Sequence, residues 1–202
     1  MGQPSCWQPE RFLLWIDAVG GYLICLKDTV VLGHASGGAE VDVPILAAIS
    51  HVHARLRRDQ EGYLLEPIQE VWVDGRQVDK AAWLRDGSRI QLGTSLRLRF
   101  RLPHPLSATA RLEFLSPHRT EPRTDAVLLM AETCLLGRPS NCHIVCPQRE
   151  KPVVLFRRQG GIYCRTEGWL ELDGVTYQDH AGPFRATSRL RAEHLSLGVE
   201  AF

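Results

Sequence analysis

Over 202 residues the chain carries 24 Lys+Arg against 23 Asp+Glu, a formal net charge of +1, with 44% apolar and 23% charged residues. That is ordinary globular composition, and it excludes an extensively disordered chain. Residues 1–105 hold twelve basic and twelve acidic side chains and residues 106–202 hold twelve and eleven, so neither half has the basic excess of a phosphate-backbone binder, and nucleic acid is not an expected partner.

After a leader of residues 1–10, the first strand is read at Arg11-Phe-Leu-Leu-Trp-Ile-Asp17. Ala18-Val19-Gly20-Gly21 is a turn, since adjacent glycines reach positive φ without steric cost. Strands follow at Tyr22–Leu26 and Thr29–Leu32, then a glycine-rich loop from Gly33 to Gly38, and Asp42-Val43-Pro44-Ile45 leads into a short apolar turn before Ser50. In Ala54-Arg-Leu-Arg57 apolar residues alternate with arginines, the period of a half-buried strand. Further strands are predicted at Tyr63–Leu65, Val71–Val73, Arg89–Leu92 and Leu96–Leu102, each bounded by Gly, Asp or Pro. Arg97, Arg99 and Arg101 alternate with Leu96, Leu98, Phe100 and Leu102, which puts three arginines on one outward face, read as a solvated surface that discourages edge pairing. By strand spacing Trp15 and Trp72 fall at core positions, whereas Trp7 lies in the polar leader. No stretch keeps a capped helical period, so the fold class is all-β, a sandwich or barrel.

Pro103-His-Pro105 cannot feed a strand ladder, and residues 103–110 are read as a linker. The pattern then restarts. Arg111–Leu115 matches the first strand, Val127–Ala131 and Thr133-Cys-Leu-Leu-Gly137-Arg138 match Tyr22 through Gly33-His34, Trp169–Gly174 matches Glu70–Gly75, and Leu195–Gly198 matches Ile90–Gly93. The glycine pairs 33/137, 75/174 and 93/198 are offset by 104, 99 and 105 residues, and a near-constant offset in three ordered motifs argues for duplication. The expected organisation is therefore two units, 11–102 and 111–202.

Between these landmarks Gly33-His34, Ser50-His51-Val52-His53 and Val73-Asp74-Gly75 occur in an order that resembles the forkhead-associated (FHA) domain over roughly Arg11 to Leu102, with a more worn copy over Arg111 to Phe202. The resemblance implies two tandem FHA-like β-sandwiches and capture of a phosphothreonine-bearing protein by short loop donors, each charged hydrogen bond contributing roughly 1.5–3 kcal/mol. It assigns Ser50 as the phosphate hydroxyl ligand, His53 as the loop brace, and His51 to a phosphate-facing place, with His34, Gln69 and Asp74 nearby and Gly33 and Gly75 as structural loop residues. His34 stands where that family carries arginine, and Gln69-Glu70-Val71 stands where it carries Asn-Gly-Thr. If His34 and His51 both face the phosphate, binding is expected to strengthen as pH falls, partly offset by the phosphate's own protonation near pH ~6. The competing reading is that Ser50 and His53 only bond their own loop backbone. In the second copy Gly137-Arg138 restores the arginine, the serine place falls near Arg149 and the histidine place near Pro152; that copy is expected to serve packing or partner contact, with Arg138, Arg149 and Lys151 as a second candidate anion site.

Other chemistry is weaker. The six cysteines sit mostly among apolar neighbours and read as reduced, partly buried thiols; Cys142-His143-Ile144-Val145-Cys146 lacks the tight repeated pairs of a zinc site, so no metal is expected. Gly33-His-Ala-Ser36-Gly37 has the wrong spacing for a nucleophile elbow, and no phosphate-cradling or dinucleotide loop occurs, so neither catalysis nor a cofactor is expected. No run approaches the ~20 apolar residues of a membrane span. Met1–Cys6 shows neither a signal-peptide nor a myristoylation pattern, which makes the cytoplasm the expected location. The expected function is a non-enzymatic protein-interaction module for a phosphothreonine partner; the alternative is a scaffold pair that binds a partner or fixes assembly geometry without phosphate.

Overall fold

Continuous apolar runs such as Phe12-Leu-Leu and Tyr22-Leu-Ile-Cys-Leu26 belong to strands covered on both faces, whereas Leu96-Arg-Leu-Arg-Phe-Arg101 belongs to a strand covered on one. The computed structural model bears out both patterns and describes residues 7–36, 38–60 and 62–202; Met1 to Cys6 of the leader and Gly37 of the glycine-rich loop lie outside the described residues. The fold is all-β, with one 3-10 turn at Gly38–Glu40 among the described residues. The strands up to Arg101 are β1 (Arg11–Ile16), β2 (Gly20–Cys25), β3 (Thr29–His34), β4 (Val43–Leu46), β5 (Ala54–Arg58), β6 (Tyr63–Pro67), β7 (Val71–Val73), β8 (Arg76–Gln77), β9 (Ala82–Leu84), β10 (Arg89–Leu92) and β11 (Leu96–Arg101). After a connector come β12 (Ala110–Phe114), β13 (Arg119–Thr120), β14 (Ala126–Leu129), β15 (Thr133–Gly137), β16 (Ile144–Val145), β17 (Val153–Arg158), β18 (Gly161–Leu172), β19 (Val175–Ala181), β20 (Arg189–Ala192) and β21 (Leu195–Ala201).

Two sheets hold these strands. A six-stranded sheet runs β13-β4-β3-β5-β6-β9; a fifteen-stranded sheet runs β16-β15-β17-β18-β20-β21-β1-β2-β14-β12-β11-β10-β7-β8, with β19 paired to β18. The hairpin β1–β2 thus pairs with β21 and β14, and β11 pairs with β12, so the N-terminal hairpin lies against strands of the other half of the chain. The pairing of β2 with β14 is parallel, and its register joins Tyr22 to Ala126, Leu23 to Val127, Ile24 to Leu128 and Cys25 to Leu129. Each residue there meets the one 104 positions on, the same separation as Gly33 and Gly137.

Because side chains alternate across a strand, this shared seam feeds two cores. Phe12, Leu14, Ile16, Tyr22, Ile24, Ala126 and Leu128 enter one core with residues of β15–β21. Leu13, Leu23, Cys25, Val127, Leu129, Ala110 and Leu112 enter the other, under the six-stranded sheet. β18 serves both layers of its own core: residues 161–165 pair with β17 and residues 170–172 with β20, and the β19 register shifts between Arg165 and Trp169, where Gly168 has φ +98°. The connector before β12 is anchored by Thr109, whose hydroxyl donates to the Thr133 carbonyl (2.6 Å) and accepts the Ala131 amide (2.9 Å).

Matching turns recur in the two halves. Asp74-Gly75 (φ 51° and 79°) and Asp173-Gly174 (φ 52° and 82°) are two-residue hairpin turns with both φ positive, a geometry Asp-Gly favours. Asp74 accepts the Arg89 amide (2.8 Å) and the Ser88 hydroxyl (3.2 Å); Asp173 accepts the Arg189 amide (2.8 Å) and the Ser188 hydroxyl (2.8 Å).

The tryptophans differ from their core expectation. Trp15 is 37% exposed, because the six-stranded sheet covers Leu13 on that face of β1 but not Trp15. Its ring lies across Gly21, where a Cβ would come within 2.1 Å of it, and its Nε1 donates to Glu200 (2.9 Å). Trp72 is half-buried on the outer face of β7, whereas Trp7 packs edge-on against Phe12 with ring centroids 5.5 Å apart.

Leu13→Ala and Leu14→Ala, neighbours that enter different cores, are each expected to cost about 2–5 kcal/mol and to lower one common transition in urea unfolding; two separable transitions would contradict a shared seam. A second expectation concerns His143, which is fully buried and accepts the Leu135 amide at Nδ1 (2.9 Å). Burial, then the charges of His104 and Arg111, lowers its pKa to about 4 from 6.5. The unfolded chain binds this proton at a higher pH than the folded one, so the stability His143 contributes above pH 6.5 is lost as pH falls toward 4. Replacing it in His143→Gln should flatten that part of a stability-versus-pH profile measured by chemical unfolding.

Candidate functional site

The loops between β3 and β4, β4 and β5, and β6 and β7 meet at one end of the core under the six-stranded sheet. Gly33 permits this meeting. A Cβ on it would fall 1.8 Å from the His51 carbonyl oxygen, so only glycine lets the β4–β5 loop approach β3 this closely. The His34 amide donates to the Ser50 carbonyl (3.0 Å) and the His53 amide to the Leu32 carbonyl (2.9 Å), which stitches the loop along β3.

His53 is 4% exposed and clamps the loop from within. Its Nδ1 accepts the Ser50 amide (3.2 Å), which places the ring proton on Nε2, and that proton goes to the Glu70 carbonyl (3.0 Å). The Glu70 carbonyl also accepts the Gly93 amide (3.1 Å), so one imidazole ties the β4–β5, β6–β7 and β10–β11 connections together.

Above this clamp, Ser50 and His51 are exposed and His34 is half-buried. The Ser36 amide donates to His34 Nδ1 (3.0 Å), and the Ser36 hydroxyl lies 2.7 Å from the same nitrogen and 3.3 Å from His51 Nδ1. One proton arrangement satisfies all three groups: His51 Nδ1–H donates to Ser36 Oγ, and Ser36 Oγ–H donates to His34 Nδ1. The two rings stand 6.2 Å apart at 81°. Left without a partner among the described residues are the Ser50 hydroxyl and the amides of His51 and Val52, three donors on consecutive residues. Hydroxyl and amide donors so grouped suit an anion's oxygens. Among the described residues no Lys or Arg side chain bonds within this cluster.

The sequence-based set is therefore only partly gathered. His34, Ser50 and His51 come together over His53 and Gly33. Gln69 is exposed on the adjoining β6–β7 loop, where its amide bonds the His53 carbonyl (3.0 Å). Asp74 and Gly75 are not part of the cluster: they form the turn at the opposite end of β7 from Glu70, and both Asp74 oxygens are engaged by Ser88 and Arg89. Ser36, which joins the two imidazoles, was not among the expected residues; its place three positions after Gly33 in the same loop was the available clue.

In the second half two of the three expected anion residues are engaged by other protein groups. Arg149 is 2% exposed and turns inward, its guanidinium donating to the Glu193 carbonyl and to Thr166 Oγ1 (2.6 Å), with Nε left unpartnered among the described residues. It thus ties its loop to β18 and to the β20–β21 turn, much as His53 ties the loop of the first half. Lys151 pairs with Glu167 at 2.8 Å. Arg138 is exposed, and its amide bonds the Arg149 carbonyl (3.1 Å). Nearby, Cys134, Cys142, His143 and Cys146 are buried, and burial raises the Cys146 thiol pKa to about 11. His143 Nδ1 is occupied by an amide, and no group of three His, Cys, Asp or Glu among the described residues is placed to hold a metal ion.

Replacement of His53 by alanine leaves the part-buried Ser50 amide without its acceptor and the Glu70 carbonyl with the Gly93 amide alone. Loss of about 1–3 kcal/mol in unfolding free energy is expected, with faster hydrogen exchange at Ser50 and Gly93; unchanged exchange there would contradict the clamp.

Residues 30–93 match the family model of the FHA domain, a span that runs from within β3 through β10 and holds the whole loop cluster. FHA domains are protein-interaction modules that read phosphorylated motifs rather than enzymes. No curated protein matches the chain at a significant level. No helix among the described residues is long and apolar enough to cross a membrane.

Proposed function

We propose that the chain is a non-enzymatic interaction module whose first half captures a phosphothreonine-bearing segment of a partner protein. The observation that carries this reading is the row of unpartnered donors, the Ser50 hydroxyl with the His51 and Val52 amides, on a loop that buried His53 holds rigid. The phosphate oxygens are met by these donors, and His34 and His51 flank them. Gln69 lies beside the route of the peptide backbone. We take residues 11–102 and 111–202 as two copies of one FHA-like unit joined at 103–110, the second degenerate. The 104-residue register of β2 on β14 and the repeated Asp-Gly turns support that reading. The second copy serves packing and partner contact, since Arg149 is engaged internally and Lys151 is paired.

A phosphate-independent scaffold is the second reading. It is favoured by the Ser36 link, which engages His34 and His51 with each other, and by the lack, among the described residues, of a guanidinium in the cluster.

The two readings separate in a binding experiment with phosphothreonine and unmodified peptide libraries on wild type and Ser50→Ala. Loss of one charged hydrogen bond of about 1.5–3 kcal/mol should weaken phosphopeptide binding about ten- to hundredfold in the variant, with little effect on unmodified peptides. Equal retention of both libraries by both proteins would discard the phosphate reading.

A further inference from the structure

Beyond the loop cluster, the outer face of β7-β10-β11-β12 holds a groove of about 570 Å³, lined by Trp72, Arg89, Gln91, Arg97, Arg99 and Leu115 among others, with no acidic side chain in its lining. The strand register sets the arginines in an unfavourable pattern. Arg89 lies directly opposite Arg99, and like charges so placed repel. Arg101, on the same face, is neutralised by Asp86 at 2.8 Å. Outside that lining, on β12, Glu113 stands 3.8 Å from Arg99 and is held mainly by Arg111. Arg89 and Arg97 are exposed, and their guanidinium groups have no partner among the described residues.

The outer face of β1, β20 and β21 is different. Its groove, about 520 Å³, contains Arg189 and Arg191 but also Asp17 and Glu200, and Trp15 there is already bonded to Glu200. Concentrated positive charge beside an indole and the 41%-exposed Leu115 is thus particular to the β7-β10-β11-β12 face.

From this we infer that the β7-β10-β11-β12 face is a second docking surface, and that its occupant is an acidic peptide segment of a partner protein, its carboxylates on Arg89, Arg97 and Arg99 and an apolar side chain against Trp72 and Leu115. Charge complementarity selects the occupant. A chain of net charge +1 has no general attraction for a polyanion, so the contact is local and suits a short segment.

The test is fluorescence anisotropy with a labelled peptide of repeated Glu-Glu-Leu triplets, using the full chain, with a Lys-Lys-Leu peptide and a single-stranded oligonucleotide of equal charge as controls. Wild type is expected to bind the acidic peptide in preference to both, more weakly as salt rises. The double variant R89A/R97A is expected to lose about tenfold in affinity while its Tm stays level or rises, because removing Arg89 relieves repulsion. Ser50→Ala is expected to bind the acidic peptide as wild type does, which keeps this site separable from the loop cluster. No binding by wild type, preference for the oligonucleotide, unchanged affinity in R89A/R97A, or loss confined to Ser50→Ala would each overturn the proposal.

Discussion

The parallel pairing of β2 with β14 is the constraint on which the rest depends. A strand in the middle of a sheet, flanked on both edges, has every backbone group paired and both faces free to pack. The chain uses both faces: alternate residues of β1, β2 and β14 enter opposite cores, and Phe12, Leu13 and Leu14 are all buried although they are consecutive. At ~25 cal/mol per Å² of apolar surface, such doubly buried strands contribute more per residue than the half-exposed β11. They also couple the two cores, since neither is complete without strands from both halves of the chain.

That rigidity reaches the loop cluster through two devices. Gly33 brings the β4–β5 loop against β3, and His53 fixes it from below with one accepted and one donated hydrogen bond. The donors above are held in place without being consumed. In the second half Arg149 ties the loop after β16 to β18 and to the β20–β21 turn, burying a charge as it does so.

Much of the strand layout was legible in the sequence because period-two alternation and Asp-Gly or Gly-Gly turns are local. Ser50, His51 and His34 were found from motif order, and all three meet. What was not legible was non-local. Nothing in Arg11–Ile16 states that its edge partner is β21 rather than β11, since the same apolar run suits either neighbour. The doubly apolar character of β1 and β2 was visible, yet it was compatible with one buried sheet as well as with two cores. Asp74 was grouped with the site through the Val73-Asp74-Gly75 landmark, but a three-residue strand carries it to the opposite end of β7 from Glu70. Trp15 obeyed the strand period and still lies outside, because periodicity reports which face a side chain takes and not how far the opposing layer extends.

The most direct test of phosphate capture by the Ser50 loop is the amide spectrum of the isotopically labelled protein, recorded by NMR as a phosphothreonine peptide is added. The account requires the His51 and Val52 amide protons to shift downfield and saturate together, with the unmodified peptide leaving them in place. Saturable binding that leaves those two amides unmoved would contradict it.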